Sequence, residues 1–264
     1  MSPMTFEEVG FMEWWQVLLP GHHTTSGTVK IKPKLYSPEL DTRRNIWLRL
    51  PSSYFHTTRR YPLIVMQDGQ NLFDDSSATF GHEWGVDETL LQLEPILEAI
   101  VVGVDNARNS AKRGREYVPW KDGSVAGKYL AFLTEQVIPL VRAACPDRIS
   151  EKPEHTLIMG SSYGAIFSLY AFFERPDVFG LCGAMSPSNV AGLHTYLRSQ
   201  SNVHGRVYVD NGSGEACDGG RVARSLQRIG FASERSLFYR HDDGDHSEAS
   251  WRKRLPEALQ LLFR

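Results

Sequence analysis

Residues 155–164 read His155-Thr-Leu-Ile-Met-Gly-Ser-Ser-Tyr-Gly164, and this stretch decides the fold. After Thr156, residues 157–159 are apolar at consecutive positions, the pattern of a strand buried on both faces. From Tyr163 the chain continues as an apolar helical stretch that stops near Arg175-Pro176. Between the two, Gly160-Ser161-Ser162-Tyr163-Gly164 sets a serine on a strand-to-helix turn with glycine on either flank, the G-x-S-x-G spacing. A serine on so sharp a turn projects its hydroxyl away from the chain. Gly160 and Gly164 let neighbouring backbone approach, and the helix N-terminus favours negative charge that develops beside it. The pentapeptide alone is weak, because about one chain in six of this composition carries it by chance. The elements around it give it weight.

Outward from this turn, short Val/Ile/Leu-rich runs alternate with amphipathic stretches. Strands are predicted at 28–34, 45–50, 63–67, 100–104, 156–159, 181–185, 206–210 and 236–239. Helices are predicted at 87–97, 127–144, 163–174, 190–199, 219–229 and 247–263. In the second of these, Leu130, Leu133, Val137 and Leu140 fall at helical spacing. From Leu63 onward strand and helix alternate. That pattern predicts an α/β fold, a mostly parallel central sheet of about eight strands with helices on both faces. The first two strands have no helix between them and suit an antiparallel start to the same sheet. With no internal repeat and no linker-like run, residues 1–264 read as a single domain, 1–27 being an N-terminal extension. The stretches 68–85 and 105–125 are longer than a connection requires, and both leave carboxyl ends of strands, where open parallel sheets bind ligands.

The chain has 264 residues, with 29 Lys+Arg against 31 Asp+Glu and a formal net charge of −2. This balance excludes a basic nucleic-acid surface. The three cysteines, Cys145, Cys182 and Cys217, are odd in number and far apart, unlike a disulfide framework. Cys182, and with it Cys145, reads as a small buried hydrophobe. The N-terminus has no positively charged segment followed by an apolar one, and no apolar run approaches a membrane span. A cytoplasmic location and no membrane partner are expected.

A serine nucleophile needs a base and a carboxylate that orients it. The strand at 236–239 runs into His241-Asp-Asp-Gly-Asp-His246, and His246 stands at the loop-to-helix boundary suited to a base, with His241 the competing histidine. The strand at 206–210 runs into Asn211-Gly-Ser-Gly-Glu215, with Asp218 beyond. Asp210 belongs to the strand end. Glu215 on the glycine-rich loop is preferred as the acid, and Asp218 is the alternative. Two backbone N–H groups should bind a developing oxyanion. Tyr163 supplies one, and Gln70 in Asp68-Gly69-Gln70 the other, with Gly69 permitting the turn.

With those residues placed, the chain resembles the "putative esterase" family of α/β-hydrolases. That family includes enterochelin esterases, feruloyl and acetylxylan esterases, S-formylglutathione hydrolases and mycolyltransferases. The resemblance is carried by YPLIVMQDGQNLFDD (61–75), WGVDETL (84–90), IVVGVDNARN (100–109), GREYVPW (114–120), GSSYG (160–164), YVDNGSGE (208–215) and DGDHSEASW (243–251). The first two segments look most like the enterochelin-esterase branch, although the stretch before Tyr61 does not supply the separate N-terminal domain of the full-length siderophore esterases. The resemblance implies an α/β-hydrolase fold, Ser162 as nucleophile, Glu215 as acid, His246 as base, and Gln70 and Tyr163 as oxyanion donors. It implies a serine carboxylic-ester hydrolase with a small-molecule ester substrate and no cofactor. A carbohydrate (feruloyl or acetyl) esterase, a thioesterase, an acyltransferase using the same residues, and a non-catalytic binding module are the other readings.

Arg108, Lys112, Arg113 and Arg115 place four cations on the 105–125 stretch, where Arg108 and Arg115 are candidates for binding a carboxylate, phosphate or catecholate of the substrate. Phe73, Trp84, Tyr117 and Trp120 share the two long stretches, and Trp84 and Tyr117 are candidates for stacking on a planar or sugar ring. The cluster from His241 to His246 does not match a tetrahedral zinc spacing, so no metal is expected there. His22-His23 reads as an exposed loop. The segment Asp122–Tyr129 lacks both the first glycine and the magnesium-binding hydroxyl of a phosphate-binding loop.

Overall fold

Strands β4 (Leu63–Gln67), β5 (Ile100–Val104), β6 (Thr156–Ser161) and β7 (Leu181–Met185) are buried at every position, because helices cover both faces of the sheet they form. The computed structural model describes residues 15–16, 23–201, 204–217 and 219–264. Before these strands come β1 (Trp15–Gln16), β2 (Thr28–Ser37) and β3 (Thr42–Leu50), and after them β8 (Arg206–Gly212) and β9 (Leu237–Asp242). The sheet order is β1-β2-β3-β5-β4-β6-β7-β8-β9. Strands β1 to β3 join antiparallel and β3 pairs antiparallel with β5, while every pair from β5 to β9 is parallel. All eight strands expected from the sequence are present, extended by the two-residue β1.

Alternation along each strand sorts side chains to two cores. Leu63, Val65, Ile158, Cys182 and Ala184 face one, and Ile64, Met66, Leu157, Met159 and Met185 face the other. The second core is covered by α1 (Val86–Leu93) and, from the far end of the chain, α8 (Glu248–Phe263). The first is covered by α3 (Ala126–Ala131), α4 (Ile138–Ala144), α5 (Tyr163–Glu174), α6 (Leu193–Ser199) and α7 (Gly219–Arg228).

Three expectations about helices are altered. Helix α1 ends at Leu93, because Glu94 precedes Pro95 and takes an extended conformation (φ −65°, ψ 140°). The helix expected at 127–144 is α3 and α4 joined by a π-helical segment, Phe132–Val137. Pro139 lies in the first turn of α4 and has no N–H to continue the ladder, and the wider segment before it absorbs the break. The stretch 105–125 contains α2 (Ser110–Tyr117), capped by the Asn109 side chain, which accepts from the Lys112 N–H at 3.0 Å. Its sequence, SAKRGREY, has no apolar stripe, which is why its spacing does not announce a helix.

The chain passes from β4 to β5 on one side, then crosses to β6 on the other side of β4. Winding direction reverses between β4 and β6, so the connections leaving their carboxyl ends diverge and open a crevice. Asp68 follows β4 and Ser162 follows β6, and both therefore border that crevice. No helix among the described residues is long and apolar enough to cross a membrane.

Candidate active site

Ser162 sits between β6 and α5 with φ 57° and ψ −121°, outside the helical and extended regions. Eight non-glycine residues among those described have positive φ, and four of them, Asp68, Arg108, Ser162 and Ser186, gather at this end of the sheet. A Cβ on Gly160 would lie 2.9 Å from the carbonyl carbon of Gly164, so the turn closes only with glycine there. The Ser162 N–H donates to Met185 O at 3.0 Å, and its hydroxyl is hydrogen-bonded to Ser188 Oγ at 3.0 Å. Ser162 lines a cavity of about 690 Å³ whose other walls include His246, Trp251, Trp84 and Phe80.

His246 precedes α8, and its Nδ1 lies 3.1 Å from Glu215 Oε2. The indole of Trp251, one helical turn on, meets the imidazole edge-to-face at 5.1 Å. Glu215 lies just beyond β8, its side chain shielded from solvent. Its Oε1 accepts from Ser186 Oγ at 2.8 Å, the Gly212 N–H at 3.0 Å and Arg254 Nη2 at 3.0 Å. Burial pushes this carboxyl up, but the hydrogen bonds from His246, Ser186, Gly212 and Arg254 outweigh it and hold it at about 2. Glu215 is therefore an anion at any working pH. Arg254, itself buried, also reaches Asp210 at 3.4 Å, and Asp210 is enclosed in β8 and accepts the Ser186 N–H at 2.9 Å. Burial raises Asp210 to about 6. Asp218, the alternative acid, lies outside the described residues. His241 belongs to β9, where it is exposed, pairs across the backbone with Asn211 and does not line the cavity.

No hydrogen bond joins Ser162 to His246 among the described residues, although both face the same cavity. Hydrogen bonds of this kind often tighten only once a substrate is bound.

The connection after β4 turns at Asp68, which has φ 57°, rather than at Gly69. Gly69 serves a different need, since a Cβ there would lie 2.7 Å from the Gly103 carbonyl carbon on β5. The short 3-10 turn Gly69–Asn71 is closed by Asn71 N–H to Asp68 O and Leu72 N–H to Gly69 O, which leaves the Gln70 N–H ahead of the first of these bonds. Tyr163, as first residue of α5, likewise has no intrahelical acceptor for its N–H. The Gln70 side chain is buried, accepting the Asn106 N–H at 3.1 Å and donating to Thr79 Oγ1 at 3.2 Å.

A buried ion pair holds this turn. Arg113 on α2 grips Asp68 with Nε–Oδ1 at 2.8 Å and Nη2–Oδ2 at 2.7 Å, and Asn106 Nδ2 donates to Oδ1 at 2.6 Å. The same guanidinium lies 4.9 Å over the Tyr117 ring and 5.8 Å over that of Tyr163. It thus touches the residues behind both expected oxyanion donors. Sequence spacing placed Arg113 only among a run of cations; its bond to Asp68 spans 45 positions and no local signal marks it.

Of the expected substrate contacts, Arg108 and Trp84 line the cavity. Tyr117 and Arg115 do not. Tyr117 is fully buried, packed on Tyr129 and Phe167 with its hydroxyl accepting the Asp68 N–H at 3.3 Å, so it cannot stack on a substrate. Arg115 points from the outer side of α2 toward Gly123. Phe73 is buried against Trp47, and Trp120 packs on Tyr196. Phe80, 74% exposed at the cavity wall, went unmarked in the sequence. So did Cys217, whose Sγ lies 3.5 Å from His246 Nδ1. Burial and the neighbouring Glu215 charge push this thiol up to about 12. Donor atoms of Glu215, Cys217 and His246 lie within 4.8 Å of one another, as do those of Glu83, Asp87 and Glu88. Cys145 and Cys182 are buried, as their surroundings in sequence suggest.

A parallel sheet in this order, with a strained serine after β6 and a histidine–carboxylate pair brought to it from beyond β8 and β9, defines an α/β-hydrolase. The family model described as "Putative esterase" matches residues 37–262, and the chain belongs to that family, a carboxylic-ester hydrolase. It is 26% identical over 203 residues to the uncharacterized protein YbbA of Bacillus subtilis, covering 70% of this chain and 72% of that protein. It is 25% identical over 242 residues to the iron(III) enterobactin esterase of Escherichia coli K12, covering 86% of this chain and 55% of that enzyme. Among solved structures, the enterobactin esterase of Shigella flexneri, crystallised in the presence of enterobactin, superposes with a TM-score of 0.73 at 22% identity, covering 94% of this chain and 63% of that one. The chain therefore spans somewhat over half the length of these enterobactin esterases.

Proposed function

We propose that the protein is a serine esterase that works through Ser162, His246 and Glu215 and an acyl-enzyme. The observation that carries the reading is the bond from His246 to the buried, ionised Glu215 at the wall of the cavity into which strained Ser162 opens. Glu215 holds the imidazole with Nδ1 protonated, which leaves Nε2 free to take the Ser162 proton as the hydroxyl attacks the ester carbonyl. Once substrate fills the cavity, the Ser162 hydroxyl exchanges its bond with Ser188 for one with His246. The tetrahedral oxyanion is bound by the Gln70 and Tyr163 N–H groups and stabilised by the N-terminus of α5. His246 then protonates the leaving alcohol, and water repeats the sequence on the acyl-enzyme.

The cavity walls favour an ester with a planar ring and an anionic or phenolic substituent, Trp84, Phe80 and Trp251 offering aromatic surface and Arg108 a cation half-exposed at the rim. The named enterobactin esterases, which share the fold, agree with such a substrate. A cytoplasmic location remains part of this reading. An ester panel of catecholate-serine esters, feruloyl and acetyl sugars, thioesters and simple acyl chains tests it. Aryl-bearing esters should give the highest kcat/KM, and Ser162→Ala should abolish turnover of all of them with the fold intact. A preference for simple short acyl chains would overturn the substrate assignment.

A further inference from the structure

Behind the Trp84–Trp251 wall lies a group of carboxylates that the esterase reaction does not use. Glu83 and Asp87 are almost wholly buried, and with Glu88 they place oxygen atoms within 4.8 Å of one another. Neither oxygen of Glu83 has a donor in hydrogen-bond geometry among the described residues, although the Thr24 hydroxyl is close. One oxygen of Asp87 likewise has no N–H or hydroxyl donor among the described residues, its carboxyl lying within hydrogen-bond reach of that of Glu88, while the other accepts the Ser26 N–H at 2.5 Å. Glu88 accepts from Ser26 Oγ at 3.2 Å, and its second oxygen lies 3.7 Å from Arg252 Nη2. Three carboxylates against one guanidinium leave two negative charges in a site largely shut off from water. Buried carboxylates are ordinarily paired, hydrogen-bonded or metal-bound. Without a cation these must keep protons, and burial duly raises Glu83 to about 7 and Asp87 to about 8.

We infer that Glu83, Asp87 and Glu88 form a calcium site that fastens the 68–85 connection, α1 and the strand-preceding segment at Ser26 together. The donors are all oxygen, which selects a hard cation. Oxygens this close together can converge on an ion about 2.3–2.6 Å from each ligand, whereas Mg²⁺ would keep waters for which a buried site has little room. A divalent ion also cancels the two uncompensated charges. The site is continuous with the cavity wall. Glu83 is followed by Trp84, which packs at a tilt on Trp251 with ring centroids 5.5 Å apart, and Trp251 in turn packs on His246.

The test is binding to the full-length chain after treatment with EDTA, and it uses no ester turnover, so its outcome is separate from that of the proposed activity. Calorimetric titration with CaCl2 should show one saturable site. At a Ca²⁺ concentration about 100 times Kd the folding equilibrium should shift about 100-fold, read as a rise in Tm of roughly 5–10 °C. Terbium should occupy the same site and give emission sensitised by Trp84, displaced by Ca²⁺. Glu83→Gln and Asp87→Asn, which keep shape and remove charge, should lose Ca²⁺ binding while the metal-free proteins melt no lower than the parent. Absence of saturable Ca²⁺ binding to the parent protein overturns the inference whether or not the variants fold. Unchanged binding in both variants overturns it as well, and an equal response to Mg²⁺ overturns the choice of calcium.

Discussion

Replacing Arg113 by methionine should cost the enzyme both stability and turnover, by separable amounts. The side chains of Arg113 and Asp68 are only 20% and 9% exposed, and two charge-assisted hydrogen bonds at 2.7 and 2.8 Å join them. Each such bond is worth about 1.5–3 kcal/mol, and Asp68 would keep Asn106 as a donor, so a net loss of about 3 kcal/mol is expected. At about 2–4 °C per kcal/mol, the Tm should fall by roughly 6–12 °C. Asp68 also carries the positive φ on which the Gln70 N–H is aimed. Removing an oxyanion donor outright costs about 10²–10³ in kcat, and loosening one should cost about 10–100-fold. Because the oxyanion exists only in the transition state, kcat should fall with KM nearly unchanged. The assay is steady-state hydrolysis of a p-nitrophenyl ester alongside thermal melting, for Arg113→Met, Asp68→Asn and the double variant. The double variant should recover part of the lost Tm, since it no longer buries an unpaired charge, but should not recover kcat. A single Arg113→Met variant with kcat within threefold of the parent, or one that raises KM alone, would refute the argument that this ion pair sets the turn.

Other consequences are as direct. Glu215→Gln should lower kcat by orders of magnitude, because a neutral amide no longer fixes the His246 tautomer or stabilises its charged form; activity at the parent level would remove Glu215 from the mechanism. Since Glu215 is depressed to about 2, the pairing it contributes is present above its unfolded value near 4 and is lost only as pH falls through about 2, so the acid limb of kcat/KM should have unit slope down to about pH 4. Glu83 and Asp87 shift the opposite way. Their protonated forms stabilise the metal-free fold below about pH 4, and that stability is lost as pH rises through about 7 to 8, so the urea midpoint should fall between pH 5 and 9 and Glu83→Gln should flatten the fall. Cys217→Ser should keep kcat, and the parent thiol, pushed up to about 12, should react slowly with iodoacetamide at pH 8.

The strands were legible because β4 to β7 are covered on both faces and so carry runs of consecutive apolar residues, a pattern that survives without any partner information. The serine turn and the histidine before α8 were legible because strand, glycine and helix signals stand next to one another in the chain. What escaped was set by contacts between distant segments. Helix α2 has no apolar stripe, and it is held in place by Asp68 and by Arg44, which pairs with Glu116 across 72 positions. Tyr117 and Trp84 look alike in sequence, two aromatics on long connections, yet one, at the end of α2, is sealed against Tyr129 and Phe167 and the other faces the cavity. Cys217 is a lone cysteine in a polar loop until β8 and β9 bring its loop against His246. Glu83, Asp87 and Glu88 are an ordinary acidic helix start until Ser26 and Arg252 close over them.

The most direct measurement is intact-protein and peptide mass spectrometry after reaction with a fluorophosphonate. One adduct should form, on Ser162 and not on Ser161 or Ser188, and His246→Ala should slow its formation by orders of magnitude. Labelling at another serine, or ester hydrolysis that persists at the parent rate in Ser162→Ala, would contradict the assignment of Ser162 as the nucleophile.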